Sequence, residues 1–464
     1  MRISALENQR VAIWGWGAEG RAAYRAVRSR LPTLPLTLLC STDEAVVASA
    51  LGEAALTTET RVDAERLASF NVVIKSPGIS PYRDDVRSAT AAGTRFIGGT
   101  ALWFAENPDA RTICVTGTKG KSTCTALIAH LLRAGGHRVA LAGNIGMPLL
   151  DLLDVAEPPA FWAIELSSFQ TGDLMESGVR PEIAVVLNIF PEHLDWHGDE
   201  IRYVADKLSL VQKARPCFAV LNAHDPVLAS LEPEGSELRW FGHTQAWHVH
   251  ENTICNDTTR VLELDRLALK GQHNGANLCA ALTAIDALGL DARALARHAV
   301  SFVPLPHRLQ WLGAHAGLGF VNDSISTTPH ASVAALEVYA GQRVAIIVGG
   351  FDRQLDWSPF VTHVAASPPV AVITQGANGP RIHDLLKQQT ETQTGTMALA
   401  EAEGLEGAIA LAISALGSDG IVLLSPGAPS FDAYRDYTER GRDFARLAGF
   451  EGAVASGIAG LGIA

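Results

Sequence analysis

The chain has 464 residues, of which 47% are hydrophobic and 19% are charged, and its 37 basic and 49 acidic residues give a net charge of −12. At roughly 150 residues per domain, this length predicts about three domains with hydrophobic cores of their own. The acidic balance argues against a nucleic-acid scaffold and against a protein that binds anionic membranes.

The segment MRISALENQR lacks the apolar core of a signal peptide. No apolar run approaches the roughly 18 residues that a membrane-spanning helix needs. The six cysteines form no CxxC pair or metal-like cluster, which is typical of a reducing compartment. We therefore expect a cytoplasmic protein.

Short apolar runs alternate with helix-like segments along most of the chain, a pattern typical of buried parallel strands joined by helices. The runs are VAIWG (11–15), LTLLCS (36–41), VVIKSPG (72–78), TICVTG (112–117), RVALAG (138–143), FWAIELSS (161–168), IAVVLNI (183–189), CFAVLN (217–222), RVAIIVGG (343–350), VAVITQG (370–376) and GIVLLSPG (420–427). They predict a doubly wound α/β architecture.

Three domains are predicted, at residues 1–100, 101–303 and 304–464. The Pro-bracketed segment FVPLPHR (302–308) marks the second boundary. The charged, turn-rich stretch at 231–266 predicts a β-excursion within the second domain. The apolar tail AVASGIAGLGIA predicts a frayed or packed end.

The first motif, GWGAEG (15–20), follows a predicted strand and has the GxGxxG spacing of a dinucleotide-binding turn. Asp43 stands near the end of the next strand, where such sites carry an acid. The motif alone leaves three readings open: an NAD(P) or FAD site, a tight turn without a ligand, and a turn that binds another nucleotide diphosphate.

The second motif, VTGTKGKST (115–123), is a Gly-rich loop between a strand and a helix. Its backbone amides can cradle phosphates, Lys121 can reach the β- and γ-phosphates, and Ser122 or Thr123 can bind Mg²⁺. Val115 stands where the commonest form of this loop has glycine. We expect a variant phosphate-binding loop.

Acidic and histidine side chains follow in the same predicted domain. Glu165 ends a buried strand, where a carboxylate can hold Mg²⁺ or simply cap the next helix. The loop after the strand at 183–189 contains Glu192, His193, Asp195 and His197, and a helix then carries Lys207. The spacing alone does not separate a metal or acid–base cluster from structural hydrogen bonds.

Taken in order, GTKGKST, ELSSFQ, LNIFPEHLDWHG, ADK, GQHN, LPHR, NDS and SPGAPSFDAY resemble the Mur ligase family over essentially the whole chain. ELSSFQ, GQHN, GNIG (143–146) and RDYTERGRDFARLA are most similar to its glutamate-adding branch. The resemblance implies a Rossmann-like N-terminal domain for a UDP-sugar, a central P-loop ATPase domain and a Rossmann-like C-terminal domain for the amino acid. It also implies ATP-dependent ligation of glutamate to UDP-N-acetylmuramoyl-L-alanine in peptidoglycan synthesis, through an acyl phosphate.

The resemblance carries roles to individual residues. The catalytic set is Lys121, His193 and Lys207. The ATP-binding set is Gly117, Thr118, Lys119, Gly120, Lys121, Ser122, Thr123, Asn274, Arg308 and Asp323. The UDP-sugar set is Gly15, Gly17, Gly20, Ser41, Thr42, Ser76, Pro77, Gly78 and Asn144. Two Mg²⁺ sites are implied at Ser122, Glu165, His193 and Lys207, with Lys207 carrying a carbamate derived from CO₂. The glutamate set is Thr327, Arg353, Ser430 and Tyr437.

Departures from the family pattern concern the amino acid. The glutamate-adding branch usually reads NDS-Lys-Ala-Thr where this chain reads NDSIST, so Ile325 replaces a lysine that binds a carboxylate of D-glutamate. Tyr437 replaces a phenylalanine. Because inversion at the α-carbon moves the carboxylate, the changes at Ile325 and Tyr437 favour L-glutamate over D-glutamate. A separate departure lies at the uracil side, where Ser41 replaces an aspartate.

Other functions explain fewer residues. An NAD(P)-dependent oxidoreductase would leave GTKGKST and Glu165 unexplained. A non-catalytic nucleotide-binding regulator would have lost the lysine, acid or histidine set, which this chain keeps, and a folylpolyglutamate-type ligase would lack the GQHN, PHR and NDS run. The expected partners are small molecules, with no nucleic acid or membrane, and the expected state is a monomer.

Overall fold

Parallel strands alternating with helices build the structure, a computed structural model that describes residues 1–178, 180–190, 192–269, 271–390, 397–453 and 458–464. These residues form two compact units, Met1–Phe302 together with Gly460–Ala464, and Val303–Ala459. Within the described ranges the strands make three sheets, two in the first unit and one in the second. The predicted α/β class is confirmed.

The first sheet is parallel throughout, in the order β3-β2-β1-β4-β5. Its strands are β1 (Val11–Trp14), β2 (Leu36–Leu39), β3 (Leu56–Glu59), β4 (Val72–Lys75) and β5 (Arg95–Gly98). The helices of this part are α1 (Ala18–Arg30), α2 (Thr42–Ser49), α3 (Ala64–Ala68), α4 (Asp84–Ala91) and α5 (Gly99–Glu106). β1 and β4 are buried along their whole length, as expected for strands with helices on both faces.

The second sheet runs β14-β13-β12-β11-β10-β9-β6-β8-β7. Its strands are β6 (Thr112–Thr116), β7 (Val139–Gly143), β8 (Phe161–Glu165), β9 (Ile183–Val186), β10 (Phe218–Asn222), β11 (Glu237–Phe241), β12 (Trp247–His250), β13 (Thr253–Asn256) and β14 (Thr259–Glu263). The antiparallel pairs β12–β13 and β13–β14 form the β-excursion predicted at 231–266. The helices are α6 (Lys121–Ala134), α7 (Ser168–Leu174), α8 (Leu194–His197), α9 (Glu200–Gln212), α10 (Pro226–Ala229), α11 (Gln272–Ala287) and α12 (Ala292–Ala296).

The strand order of this sheet positions the site. β6 lies between β9 and β8 and is parallel to both. After β6, the chain first forms β7 and β8 on one side of this strand and then β9 and β10 on the other side. Ligands of open parallel sheets bind at such a switch point, outside the carboxyl ends of the strands. The loop after β6, which carries GTKGKST, occupies this position.

Helix α5 joins the two sheets of the first unit through its core. Trp103 and Phe104 are fully buried, and the Trp103 ring packs against that of Trp162 on β8 with centroids 4.5 Å apart. Both sheets therefore share one hydrophobic cluster that spans residues of both predicted domains.

The sheet of the second unit has the order β15-β16-β20-β17-β18-β19 and is parallel except for β15. Its strands are β15 (Gln310–His315), β16 (Leu318–Asn322), β17 (Val344–Val348), β18 (Ala371–Thr374), β19 (Ala398–Glu401) and β20 (Gly420–Leu424). The helices are α13 (Pro329–Val338), α14 (Ser358–Ala366), α15 (Gly379–Thr390), α16 (Leu405–Leu416) and α17 (Tyr437–Leu447). The parallel arrangement brings the loops after β16, β17, β18 and β20 to one edge.

Across the described ranges, every helix is too short or too polar to pass through a bilayer.

The last five residues of the apolar tail, 460–464, are packed against the first unit, whereas residues 454–457 lie outside the described part. Strand β21 (Gly462–Ile463) pairs antiparallel with β7, with Gly462 opposite Leu141. The Arg133 guanidinium donates to the carbonyls of Gly460, Gly462 and Val139 at 2.6, 3.0 and 2.7 Å. The predicted third domain ran to residue 464, whereas residues 460–464 belong to the first unit, because the open edge of β7 offers them backbone partners.

Arg133→Ala is expected to lower the free energy of unfolding of the first unit by about 1–2 kcal/mol, because it removes three hydrogen bonds to carbonyls at the sheet edge. Urea unfolding followed by tryptophan fluorescence measures the change. Arg138→Ala is the matched control, since Arg138 forms an ion pair with Glu157, whose side chain is 79% exposed. Equal effects of the two substitutions would contradict the importance of the edge contacts.

Candidate functional site

The loop after β6 leads directly into the first turn of α6. Gly120 precedes the helix with φ +86°, and a Cβ there would lie 2.3 Å from Asn277 Oδ1. Lys121 begins the helix, and its Nζ donates to the carbonyl of Thr118 at 2.9 Å. The unsatisfied amides at the start of a 14-residue helix make this loop suited to bind phosphate.

Side chains from neighbouring elements hold the loop in shape. The amide of Lys119 donates to Asn188 Oδ1 at 2.8 Å, and Asn188 Nδ2 donates back to the Lys119 carbonyl at 3.1 Å. Thr118 is buried, and its hydroxyl lies 2.5 Å from that of Tyr203 on α9. Thr123 is buried as well, so these two threonines support the loop from inside.

Helix α11 brings Asn274 close to the same loop. Asn274 is buried on the first turn, and its Oδ1 accepts from Nδ2 of Asn277, the residue that faces Gly120. The structure therefore brings the GQHN motif and the phosphate-binding loop together. Arg308 and Asp323, predicted for the same ligand, belong to the second unit.

Glu165 ends β8 beside the loop, paired with Val115 on β6 and Gly143 on β7. It is 1% exposed, and its Oε1 accepts from Asn144 Nδ2 at 2.9 Å. Its Oε2 is buried and has no hydrogen-bond partner among the described residues. A buried carboxylate oxygen without a donor is costly unless a cation binds it, so Glu165 fits a metal site. Asn144, predicted for the UDP-sugar, donates this hydrogen bond to the carboxylate.

Lys207 lies buried on α9 with its amine against the loop. Nζ donates to the carbonyl of Gly117 at 2.9 Å and stands 5.0 Å from the centre of the Tyr203 ring. Burial, reinforced by the charge of Lys121, lowers the pKa of Lys207 well below its usual value. Lys207 also interacts electrostatically with Glu165, so the two predicted metal-site residues lie in one neighbourhood.

His193 lies on the loop above, with φ 57° and its side chain 44% exposed. Its neighbour Glu192 binds Lys119 at 2.8 Å, which ties this loop to the phosphate-binding loop. Burial raises the pKa of Glu192, but the charges of Lys119 and His193 outweigh it and the net shift is downward. The side chain of Asp195 lies outside the described part.

A ligand set built only from His, Cys, Asp and Glu is absent from the described part of the chain. The predicted metal ligands are of other types, because two of the four are a serine, Ser122, and a lysine, Lys207. All four could bind a cation only if the amine of Lys207 were converted into an oxygen ligand.

A buried hydrogen-bond network lies behind these residues, and its partners could not be assigned from the sequence. His197 is fully buried, with Nδ1 2.7 Å from Asp206 Oδ2 and Nε2 3.0 Å from Ser168 Oγ. The hydroxyl of Tyr82 donates to the same Asp206 at 2.8 Å. The network joins the segment after Glu165 to the helix of Lys207, since Ser168 and Asp206 stand near them in sequence.

The glycine motif of the first sheet forms a tight turn. A Cβ on Gly20 would lie 1.9 Å from the carbonyl oxygen of Gly15, so only glycine lets α1 start against the end of β1. Ser76 lies next to this turn, and its hydroxyl is buried without a hydrogen-bond partner in the described structure. The helix start and this hydroxyl are suited to an anionic ligand.

The remaining predicted UDP-sugar residues lie at the starts of α1 and α2 and on the loop after β4. Ser41 caps α2 through a capping box with Glu44, and Thr42 begins that helix. The carbonyl of Pro77 accepts from Trp196 Nε1 at 3.1 Å, which ties the loop of Ser76 and Gly78 to α8. Gly17 precedes α1.

Glu19, on the first turn of α1, was not predicted as a site residue. A Cβ on Gly99 would lie 3.3 Å from its Oε2. Burial and the nearby charge of Asp151 raise the pKa of Glu19 to about 7. The motif GWGAEG contains Glu19, so the sequence places an acid at the start of α1. The burial of this side chain could not be predicted from the motif, because it depends on residues from other parts of the fold.

In the second unit, the predicted glutamate residues lie on loops at the carboxyl edge of the sheet. Thr327 follows β16, Arg353 follows β17, Ser430 follows β20, and Tyr437 begins α17. Ser430 is 2% exposed, and its hydroxyl has no hydrogen-bond partner among the described residues.

Asp323, directly after β16, connects the loop after β20 to the segment before β15. Its Oδ2 accepts from Ser425 Oγ at 2.8 Å, and its Oδ1 accepts from the amide of Leu309, next to Arg308, at 3.1 Å. The amide of Ile325 donates to the carbonyl of His307. The LPHR and NDS motifs therefore lie side by side.

Comparison with known proteins gives concordant results. The family model of the Mur ligase middle domain matches residues 115–285. A UDP-N-acetylmuramoyl-L-alanine–L-glutamate ligase from Xanthomonas campestris pv. campestris is 58% identical over 469 residues, with all of both chains covered. One from Xylella fastidiosa is 56% identical, again over both full chains.

Solved structures share the fold at low identity. The crystal structure of a UDP-N-acetylmuramate-alanine ligase from Thermotoga maritima matches with a TM-score of 0.59 at 19% identity, covering 95% of this chain and 99% of that one. Identity above half over the full length is far beyond what a shared fold alone produces. The chain belongs to the Mur ligase family.

Proposed function

We propose that the chain joins L-glutamate to the alanyl carboxylate of UDP-N-acetylmuramoyl-L-alanine, with ATP converted to ADP and phosphate, in peptidoglycan synthesis. The observation that carries the proposal is the full-length identity of 58% with a relative named for this reaction. The site chemistry agrees, because a phosphate-binding loop adjoins a buried carboxylate with a free oxygen.

The reaction has two steps in this proposal. An oxygen of the alanyl carboxylate attacks the γ-phosphorus, the bond to ADP breaks, and an acyl phosphate forms. The amine of L-glutamate then attacks the acyl carbon, the bond to phosphate breaks, and the amine loses a proton. Activation is needed because a carboxylate is a poor electrophile.

Charge neutralisation is the main task of the protein in the first step, since an anion attacks a polyanion. Lys121 would contact the β- and γ-phosphates, and the residues from Gly117 to Thr123 would cradle them with backbone amides. Asn274, Arg308 and Asp323 would contact the rest of ATP.

Mg²⁺ would be held by Ser122, Glu165, His193 and Lys207, and when bound it supplies charge neutralisation at the transferred phosphate. The orphaned Oε2 of Glu165 supports this set. The depressed pKa of Lys207 supports a carbamate on its amine, because only an unprotonated amine reacts with CO₂. A carbamate would convert the amine into an oxygen ligand.

Two observations support L-glutamate, rather than D-glutamate, as the amino-acid substrate. The relatives compared above are named for L-glutamate, and Ile325 lacks the cation that the glutamate-adding branch usually has for D-glutamate. Thr327, Arg353, Ser430 and Tyr437 would hold the amino acid. The D-glutamate alternative has no such support, and an oxidoreductase explains neither Glu165 nor the phosphate-binding loop.

The direct test is phosphate release from ATP with UDP-N-acetylmuramoyl-L-alanine and each glutamate isomer. We expect kcat/KM for L-glutamate to exceed that for D-glutamate by at least ~10-fold. Ile325→Lys should narrow this ratio by supplying a cation for the D isomer, whereas Ile325→Leu should leave it unchanged. An enzyme that used D-glutamate and ignored the L isomer would overturn the assignment.

Lys207→Ala is expected to lower kcat by at least ~10²-fold, and added acetate should restore part of it, because a small carboxylate can occupy the place of the carbamate. Steady-state phosphate release with and without acetate measures this. Lys213→Ala, an exposed lysine just after the same helix, is the control and should not respond. Rescue by a primary amine but not by acetate would mean that Lys207 acts as a cation.

Glu19 predicts a pH dependence of UDP-sugar binding. Below its pKa of about 7 the side chain is neutral, and above it the carboxylate repels a diphosphate at the start of α1. KM for UDP-N-acetylmuramoyl-L-alanine should therefore rise roughly tenfold between pH 6 and pH 8. Glu19→Gln should flatten the profile, while Glu65→Gln, an exposed control, should keep it. If the pH dependence of this KM were unchanged in Glu19→Gln, Glu19 would have no role in UDP-sugar binding.

A further inference from the structure

The side chain of Arg440 lies in the interior of the second unit, near the start of α17, with 1% of its surface exposed. Nε donates to Ser324 Oγ at 3.0 Å, and Nη2 donates to the carbonyls of Ser324 and Ala428 at 2.8 and 3.0 Å. Nη1 donates to the carbonyl of Pro429 at 3.2 Å. One guanidinium therefore joins the loop after β16 to the loop after β20.

The loop after β17 packs against the same side chain. A Cβ added to Gly350 would lie 3.0 Å from Nη1 of Arg440 and 2.3 Å from the carbonyl oxygen of Pro429. The amide of Phe351 donates to that carbonyl at 2.9 Å. Only glycine lets this loop approach so closely, so all three loops take their spacing from Arg440.

Each of these loops carries a residue of the predicted glutamate site. Thr327 follows Ser324, Arg353 follows Gly350, and Ser430 follows Pro429 directly. Tyr437 stands one turn before Arg440 on α17, and its carbonyl accepts from Ser324 Oγ at 2.8 Å.

The hydrogen-bond partners of Arg440 among the described residues are carbonyl and hydroxyl oxygens, and none is a carboxylate. Burial lowers the pKa of Arg440 to about 10, while the charges of Asp432, Tyr434 and Asp323 act in the opposite direction, so the side chain is still a cation at neutral pH. The contribution of Arg440 to the loops is therefore its fork of hydrogen-bond donors, which holds them together.

We propose that Arg440 is a positioning residue for L-glutamate, which sets the spacing of the loops that carry Thr327, Arg353 and Ser430. The spacing matters in this chain because Ile325 stands where a lysine is usual, so the other residues of the glutamate set must hold the substrate. The inference rests on the proposed function, since it names a residue for the amino-acid substrate of that reaction.

The test compares Arg440→Gln and Arg440→Lys with wild type, by measuring kcat and the KM of each substrate. Arg440→Gln should raise KM for L-glutamate at least ~10-fold, with KM for ATP and for UDP-N-acetylmuramoyl-L-alanine within about twofold. Arg440→Lys, which keeps the charge but not the fork of donors, should give a smaller rise. Arg343→Gln is the control, because Arg343 also binds two backbone carbonyls, of Asp419 and Leu416, at the other edge of the same sheet.

Thermal unfolding of each variant separates positioning from support of the fold. If Arg440→Gln does not fold, Ser324→Ala takes its place, since it removes the hydroxyl that binds both Nε and the Tyr437 carbonyl, and a KM rise of about threefold is expected. A folded Arg440→Gln, or Ser324→Ala in its place, with an unchanged KM for L-glutamate would overturn the inference. Failure of the wild-type enzyme to release phosphate with glutamate would instead overturn the proposed function.

Discussion

The hydrogen bond from Lys207 to the carbonyl of Gly117 connects the phosphate-binding loop to the 13-residue helix α9. Burying an ammonium group is costly, and the hydrogen bond that the Lys207 amine donates goes to a neutral carbonyl. Burial and the charge of Lys121 therefore lower the pKa of this lysine, although Glu192 and Glu165 act in the opposite direction. The same helix also carries Asp206, through which His197 and Ser168 set its rotation. Much of the geometry around Glu165 depends on this one packed helix.

The first unit fixes the distance between its two predicted ligand sites. Lys75, at the end of β4, forms a buried ion pair with Asp173 on α7 at 2.9 Å. Trp196 stacks on Phe169 with ring centroids 4.4 Å apart and donates to the loop of Pro77. Both sheets also share one core through α5. The glycine turn and the phosphate-binding loop therefore belong to one packed unit.

Apolar runs predicted the interior strands well, because strands buried on both faces must be almost entirely apolar. All the strands predicted from such runs are present, from β1 to β20. Some of the strands that were missed are short and partly exposed, such as β3 with the sequence LTTE and β19 with ALAE. Their stability comes from neighbours in the sheet, which no local pattern encodes. β16 was also missed although it is fully buried, because its sequence LGFVN mixes glycine and asparagine with the apolar residues.

For the candidate site, the sequence predicted the residues that belong to local motifs but not those whose partners are distant in the chain. The motifs identified Lys121, Glu165 and Lys207, and the structure brings these three together around one loop. The roles of Arg440 and His197 depend on partners more than 100 residues away or on burial, such as the contact of Arg440 with Ser324. The contact of the Asn144 amide with Glu165 is a further example, because no local pattern pairs two residues that are 21 positions apart.

The pairing of β21 with β7 has a consequence for synthesis of the chain. Residues 303–459, the whole second unit, lie between these two strands in sequence. While that unit emerges from the ribosome, the edge of β7 with its apolar sequence VALAG has open amides and carbonyls, and such edges invite pairing with other chains. The entropic cost of closing so long a loop grows only with the logarithm of its length, so the separation does not prevent the pairing. The edge of β7 therefore stays uncovered by β21 until the residues that follow the second unit have been synthesised.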